Sequence, residues 1–303
     1  MNRENLQTAE RIRKLAQQKN ALILAHNYQP PEIQDTADMC GDSLELAMKA
    51  ADTEAEILVF CGVHFMAETA SILCPEKTVL LPRADAGCPM ADMVTPQALE
   101  EKTISMPGVP VVTYVNSPAA VKAMSTVCCT SANSVRVAKS LAAAEILMVP
   151  DRNLAAYTAA HTGKTIHAWD GFCPYHQRLD PETVRQARQI HPRAVFMAHP
   201  ECRPEVTAMA DVVTSTSGML DYAARSPHSE FIVGTETGLL YPLQKAAPEK
   251  TFYQASDQMY CPDMKKITLA DIEASLQHLS GEVRVPEEIR NPALSAVKRM
   301  LSA

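Results

Sequence analysis

The chain has 303 residues, of which 47% are hydrophobic and 21% are charged, a composition typical of a globular enzyme. Its formal net charge of −7 disfavours nucleic-acid binding, because no basic stripe offers a surface to phosphates. No apolar stretch reaches the roughly 18 residues of a membrane-spanning helix, and residues 1–20 lack the apolar core of a signal peptide. We therefore expect a cytoplasmic protein that binds neither nucleic acid nor membrane.

Three copies of one pattern follow each other along the chain. Each copy begins with an apolar run that ends in an aromatic or imidazole side chain, and a hydroxyl residue follows seventeen positions later. A second apolar run follows a glutamate, and a lysine–threonine pair opens a third run. The first run, the glutamate with the second run, and the lysine–threonine pair lie at 21–25, 56–59 and 77–78 in the first copy, at 109–113, 145–148 and 164–165 in the second, and at 194–198, 230–233 and 250–251 in the third.

The runs predict buried parallel strands, because they show little alternation of apolar and polar residues. Residues 44–52 and 134–144 have helical spacing, and helix-start signals stand at Thr95, Asp180 and Thr268. The sequence therefore predicts an α/β protein with three pseudo-threefold-related α/β/α sandwich domains, built on parallel sheets around a central cluster site. We expect these domains at 1–107 with an N-terminal helix, at 108–192, and at 193–303 with a C-terminal helix.

Three of the nine cysteines occupy the same position of the repeat, each directly before a proline. They are Cys88, Cys173 and Cys261, and they lie 85 and 88 residues apart. An odd number of cysteines in a reducing compartment favours metal binding or catalysis over a disulfide framework. The remaining cysteines do not recur in all three copies, and we expect most of them to be small buried residues. They are Cys40, Cys61, Cys74, Cys128, Cys129 and Cys202.

Three thiolates can bind zinc together with a fourth ligand, or a [4Fe–4S] cluster that keeps one iron free. Zinc sites usually draw on close pairs such as C-x2-C, and the sequence contains no such pair. Thiolates spread over three domains favour the larger cluster, whose free iron could act as a Lewis acid on a substrate oxygen or nitrogen. Such a site would catalyse dehydration without net electron transfer.

Polar side chains follow the first strand of each copy, in pairs two residues apart that lie on the same side of a strand. The pairs are His26 with Tyr28, Tyr114 with Asn116, and His199 with Glu201. Hydroxyl residues at expected helix starts add anion-binding groups, although the same residues also suit helix capping. These hydroxyl residues are Ser43, Ser131, Ser215 and Thr216. Together they predict a cavity for a small substrate with several negative charges.

Seven motifs resemble those of the quinolinate synthases, and the resemblance covers about residues 21–300. They lie at 25–29, 41–47, 114–117, 129–133, 199–202, 215–219 and 234–236. The resemblance implies three α/β/α domains around a [4Fe–4S] cluster with three cysteine ligands. It also implies condensation of iminoaspartate with dihydroxyacetone phosphate to give quinolinate, phosphate and water in de novo NAD biosynthesis. L-aspartate oxidase would be a functional partner.

The resemblance assigns a role to each candidate residue. Cys88, Cys173 and Cys261 would hold the cluster, and Tyr28, Tyr114, Asn116 and Glu201 would manage proton transfer and orientation. His26, Ser43, Ser131, His199, Ser215 and Thr216 would bind carboxylates and phosphate. We expect Glu201 to be the general base, with a pKa raised by its closed cavity. Some relatives carry a C-x2-C-x2-C run, but Ala255 and Gln258 stand here, so a disulfide switch at that place should be absent.

Two other classes fit parts of the pattern. A [4Fe–4S] hydro-lyase acting on one small hydroxy acid would share the three thiolates but would not need a triose phosphate. An iron–sulfur sensor would need a DNA- or partner-binding element, and the sequence shows neither a basic helix nor an added module.

Overall fold

The computed structural model describes residue 1 and residues 3–302. It contains three four-stranded, all-parallel sheets flanked by helices, which confirms the predicted α/β class with three related α/β/α units. Each sheet has the same order, in which the first and third strands of the repeat are central and the second and fourth lie at the edges.

The four strands and the three helices between them recur in the same order in each repeat. The first contains α1 (Arg3–Gln18), β1 (Ala21–His26), α2 (Pro31–Thr36), β2 (Met39–Gly41), α3 (Ser43–Asp52), β3 (Ile57–Cys61), α4 (His64–Leu73), β4 (Thr78–Leu80) and α5 (Pro96–Ile104). The second contains β5 (Val111–Tyr114), α6 (Ala119–Ala123), β6 (Val127–Cys129), α7 (Ser134–Ser140), β7 (Glu145–Val149), α8 (Arg152–Thr162), β8 (Thr165–Ala168), α9 (Pro174–Gln177) and α10 (Pro181–Ile190). The third contains β9 (Val195–Ala198), α11 (Pro204–Thr207), β10 (Val212–Val213), α12 (Thr216–Arg225), β11 (Glu230–Gly234), α13 (Leu240–Ala246), β12 (Thr251–Gln254), α14 (Leu269–His278) and α15 (Glu287–Ser302).

The edge strands β2, β6 and β10 are the elements that the apolar pattern did not reveal, because they are only two or three residues long. A side chain just before each of them accepts a hydrogen bond from a backbone N–H at the start of the neighbouring first strand. The bonds run from Ile23 to Asp38 at 2.8 Å, from Val111 to Thr126 at 3.0 Å, and from Phe196 to Asp211 at 2.8 Å. The same device thus fixes each short edge strand in register.

The recurring lysine of each repeat binds the end of a helix. Lys77, Lys164 and Lys250 each donate hydrogen bonds from Nζ to two backbone carbonyls after α3, α7 and α12 or in their last turns. Such carbonyls lack partners within the helix and carry partial negative charge. In the second repeat the acceptors are Leu141 and Ala143, at 2.7 and 2.6 Å. The helix predicted over 134–144 therefore ends at Ser140, and the next residues form the loop that leads into β7.

The expected helix starts are confirmed, because Thr95, Asp180 and Thr268 are the N-caps of α5, α10 and α14. The last two helices pack on earlier elements of the chain. Helix α14 packs against α1, whereas α15 packs against α4, α6 and β6. A continuous cluster of buried apolar side chains contains Leu24 of β1, Val112 of β5 and Val233 of β11. One core therefore joins all three sheets. Within the described residues, no helix is long and apolar enough to cross a membrane.

A buried ion pair ties the third repeat to the first. Glu236, 1% exposed, lies 2.8 Å from Lys265 Nζ and accepts the backbone N–H groups of Gly238 at 2.7 Å and Cys261 at 3.0 Å. Lys265 also donates to the backbone carbonyl of Tyr28, just beyond β1. A Cβ at Gly238 would lie 2.5 Å from that carbonyl oxygen, so only glycine allows this close approach.

We expect Lys164→Met to lower the free energy of unfolding by about 1.5–3 kcal/mol, because it removes charge-assisted bonds to two carbonyls. Lys139→Met, at an exposed lysine on α7, is the matched control and should change stability by less than about 0.5 kcal/mol. Denaturant unfolding of both variants measures the difference. Equal stabilities would show that the recurring lysine does not stabilise the helix end.

Lys265→Met should cost about 3–5 kcal/mol, because it leaves the Glu236 carboxylate buried without a counter-charge. Adding Glu236→Gln should recover part of that loss, since the neutral amide removes the unpaired charge. The control is Lys266→Met, which removes a more exposed ion pair with Asp263. Thermal and denaturant unfolding measure the free energy of unfolding of the three variants relative to the parent protein. A Lys265→Met loss no larger than that of the control would contradict the buried-pair interpretation.

Candidate active site

A cavity lies where the carboxyl ends of the three sheets meet. Its wall carries His26 and Tyr114, which end β1 and β5, and His199, which directly follows β9. All residues that the sequence singled out line this cavity except Ser215. Ser215 lies behind the wall, where it caps α12 and donates a hydrogen bond to Asp42 Oδ2 at 3.1 Å. Since Asp42 caps α3, this bond joins two helix starts from different repeats.

Cys88, Cys173 and Cys261 are the cysteines that line the cavity among the described residues. Each is followed by a proline and a short helical turn, and the backbone N–H groups two and three residues later lower the pKa of its thiol, against the larger rise caused by burial. These N–H groups belong to Met90 and Ala91, to Tyr175 and His176, and to Asp263 and Met264. Backbone N–H groups stabilise a thiolate, and they tune thiolate-bound metal centres in the same way.

Burial raises the pKa of all three thiols, to about 12 for Cys88, to about 11 for Cys261 and well above the usual range for Cys173. Without a cation these sulfurs are neutral thiols. A metal centre supplies the missing positive charge and takes the place of the protons. The residues present therefore fit a metal centre of the thiolate type.

A chain of hydrogen bonds crosses the cavity wall through all three repeats. Tyr28 Oη lies 2.5 Å from Thr235 Oγ1, which lies 2.9 Å from His176 Nε2. His176 Nδ1 lies 2.7 Å from Glu201 Oε2, and Tyr114 Oη donates to Glu201 Oε1 at 2.7 Å. All five side chains are buried. Two tyrosine hydroxyls are thus connected through one threonine hydroxyl, one imidazole and one carboxylate.

The expected raised pKa of Glu201 is wrong. Burial alone would raise it, but the imidazole of His176 at 2.7 Å and the hydroxyl of Tyr114 hold the pKa of this carboxyl well below its usual range. Glu201 is therefore an ionised carboxylate. The sequence pattern could not predict this, because it did not place His176 beside it.

His26 and His199 are neutral, since burial lowers the pKa of both imidazoles to about 3. In both pairs, the imidazole of the first residue accepts a hydrogen bond from the backbone N–H of the residue two positions later. Nδ1 of His26 accepts the N–H of Tyr28 at 3.2 Å, and Nδ1 of His199 accepts the N–H of Glu201 at 3.3 Å. Nε2 is then the N–H donor of each ring, and for His199 it faces Ser131 Oγ at 3.2 Å.

The cavity offers neutral donors rather than fixed positive charges to a ligand. None of its lining residues in the described part of the chain is a lysine or an arginine. Ser43 and Thr216 stand in the first turns of α3 and α12, whereas Ser131 lies in a turn before α7, which begins at Ser134. Asn116 Oδ1 is buried without a protein partner, as expected for an atom that meets a ligand.

Sequence reasoning missed His176 and undervalued Thr235 and Glu236. His176 follows Cys173 by three positions, but Ala91 and Met264 occupy the equivalent places, so the repeat gave no signal. Thr235 and Glu236 were part of a recognised motif, yet only the fold reveals that they contact His176 and the turn of Cys261.

Comparison with known proteins identifies the family. A family model described as quinolinate synthetase A protein matches residues 10–302. The chain is 57% identical to the quinolinate synthase of Geotalea uraniireducens over 291 residues, covering 96% of each chain. It is 54% identical to that of Dehalococcoides mccartyi, covering 97% of each chain, and 52% identical to quinolinate synthase 1 of Methanosarcina acetivorans, covering 97% and 96%. The chain belongs to the quinolinate synthase family.

Proposed function

We propose that this protein condenses iminoaspartate with dihydroxyacetone phosphate to form quinolinate, phosphate and water, a step of de novo NAD biosynthesis. The observation that carries the proposal is the family match over nearly the whole chain, with polar strand-end residues of three repeats lining one cavity. An enzyme such as L-aspartate oxidase would supply the imine, and we expect both to work in the cytoplasm.

We propose that Cys88, Cys173 and Cys261 hold a [4Fe–4S] cluster. Soft thiolate donors from three repeats, each with its own pair of backbone N–H groups, support this choice. When bound, the cluster supplies a Lewis acid that assists dehydration.

The substrates carry carboxylates and a phosphate, and the chain meets them with neutral groups. The first turns of α3 and α12 carry partial positive charge and place the hydroxyls of Ser43 and Thr216 at the cavity, where both can bind anions. His26 and His199 offer Nε2–H, and Ser131 adds a hydroxyl. Ser215 acts indirectly, because its bond to Asp42 positions the two helix starts.

Protons move along the chain of hydrogen bonds between the tyrosines. Burial raises the pKa of Tyr28 and Tyr114 well above 10, so both hydroxyls stay protonated. Tyr114 donates its hydrogen to Glu201, and Tyr28 can donate to a substrate oxygen atom. Glu201 is ionised and is the acceptor for a proton that leaves a substrate carbon. A proton taken from Tyr28 can be replaced through Thr235 and His176, which connect it to Glu201.

Anaerobically prepared protein should contain iron and sulfide in equal amounts, with the absorption of a [4Fe–4S] cluster. Cys88→Ser, Cys173→Ser and Cys261→Ser should each lose most of it, because a protein ligand is missing. Cys40→Ser is the control at a half-buried cysteine outside the cavity and should keep the cluster. Iron and sulfide analysis, together with optical spectra, measures the cluster content of each protein. Stoichiometric zinc without iron or sulfide in the native protein would contradict the proposed cluster.

Glu201→Gln should keep the cluster spectrum and lower quinolinate formation by at least about 100-fold, the usual contribution of a general acid–base group. Glu205→Gln, at an exposed glutamate on α11, is the control and should retain full activity. The assay follows quinolinate with both substrates present. Near-normal turnover of Glu201→Gln would remove this carboxylate from proton transfer, whereas turnover of a single hydroxy acid by the parent protein would favour a hydro-lyase.

A further inference from the structure

Three potential metal ligands meet on one side of the cavity. The Cys173 sulfur, Nδ1 of His176 and a carboxylate oxygen of Glu201 all lie within 4.8 Å of one another. His176 Nδ1 is 3.1 Å from Cys173 Sγ and 2.7 Å from Glu201 Oε2. His176 and Glu201 are buried, and Cys173 is half-buried on the cavity wall.

The donor set suits a single zinc ion. Zinc accepts sulfur, imidazole nitrogen and carboxylate oxygen at about 2.0–2.3 Å, and catalytic-type sites combine three protein ligands with one open position. In a tetrahedral site neighbouring donors lie about 3.3–3.7 Å apart. His176 would therefore need to move away from each neighbour by less than about 1 Å, which side-chain rotation can supply.

Each donor is also oriented through its other atom, as is usual around protein-bound zinc. His176 Nε2 lies 2.9 Å from Thr235 Oγ1, and Glu201 Oε1 accepts the hydroxyl of Tyr114 at 2.7 Å. The charges also match. A dication bound by one thiolate and one carboxylate leaves the buried site with no net charge, and the Cys173 thiol releases its proton to solvent as the metal–sulfur bond forms.

We propose that Cys173, His176 and Glu201 form a mononuclear zinc site in the cluster-free protein, with the fourth position open to the cavity. This site is distinct from a centre held by three cysteines, because it uses only one of them. If Cys173 is also a cluster ligand, as the proposed function states, zinc and the cluster compete for its sulfur. Zinc would then block cluster assembly rather than support catalysis.

The test titrates anaerobic, cluster-free, full-length protein with Co²⁺, a spectroscopic substitute for zinc, and then with Zn²⁺. We expect one Co²⁺ per chain, a tetrahedral ligand-field spectrum with charge-transfer absorption from a single thiolate, and displacement by one Zn²⁺. Absorption from three thiolates would place the ion among Cys88, Cys173 and Cys261 and overturn the proposal. Failure to bind either ion would also overturn it.

Variants locate the ligands by competition with a chromogenic chelator. His176→Gln and Glu201→Gln should each weaken zinc binding beyond the about 10- to 100-fold loss expected for the supporting variant Thr235→Val. Cys261→Ser is the matched control, since its sulfur is outside the group, and should leave zinc affinity unchanged. Equal losses in Cys261→Ser and Cys173→Ser would refute the site. Because the readout is metal affinity, the result is independent of quinolinate formation, and the spectrum of the parent protein decides even if a variant misfolds.

Discussion

The structure depends on one constraint, which is that parallel strands bring all their carboxyl ends to the same edge of a sheet. Each of the three sheets has the same strand order, so each presents the end of its first strand and the loop after its fourth strand in the same direction. One apolar core holds the sheets together. Residues separated by about 85 positions in the chain therefore face a common cavity, and the threefold pattern of cysteines is a direct result of this geometry.

The ionisable side chains of the cavity wall are either paired with an oppositely charged or hydrogen-bonding group, or they are neutral. Two of the buried carboxylates in this wall, Glu201 and Glu236, each lie beside a basic side chain, His176 and Lys265 respectively. The third, Asp42, accepts hydrogen bonds from the start of α3 and from Ser215. His26 and His199 remain neutral because of their burial. Among the described residues the wall carries no lysine or arginine, so it receives an anionic ligand through N–H and O–H dipoles. Such preorganised dipoles act strongly in a site that excludes water.

Much of the fold followed from the sequence because each repeat supplied independent evidence for the same elements. The three apolar runs of each repeat became its first, third and fourth strands, and three capping residues began the expected helices. A residue whose role is confined to one repeat could not be predicted in this way. His176 has no counterpart in the other repeats, and its contact with Glu201 reverses the expected shift of the pKa of that carboxyl. The second strands β2, β6 and β10 have only two or three residues and no recurring lysine–threonine pair before them, so hydrogen bonding alone defines them.

The position of α15 has a consequence for the order in which the protein can be built. Its buried face, which includes Ala293, Val297 and Met300, packs on elements of the first and second repeats. The carbonyl of Met300 accepts a hydrogen bond from Asn133, which in turn fixes the turn that carries Ser131. A chain emerging from the ribosome therefore exposes this seam between its first two repeats until residues 287–302 have been synthesised. The cavity therefore reaches its final shape only after residues 287–302 have left the ribosome and packed onto this seam.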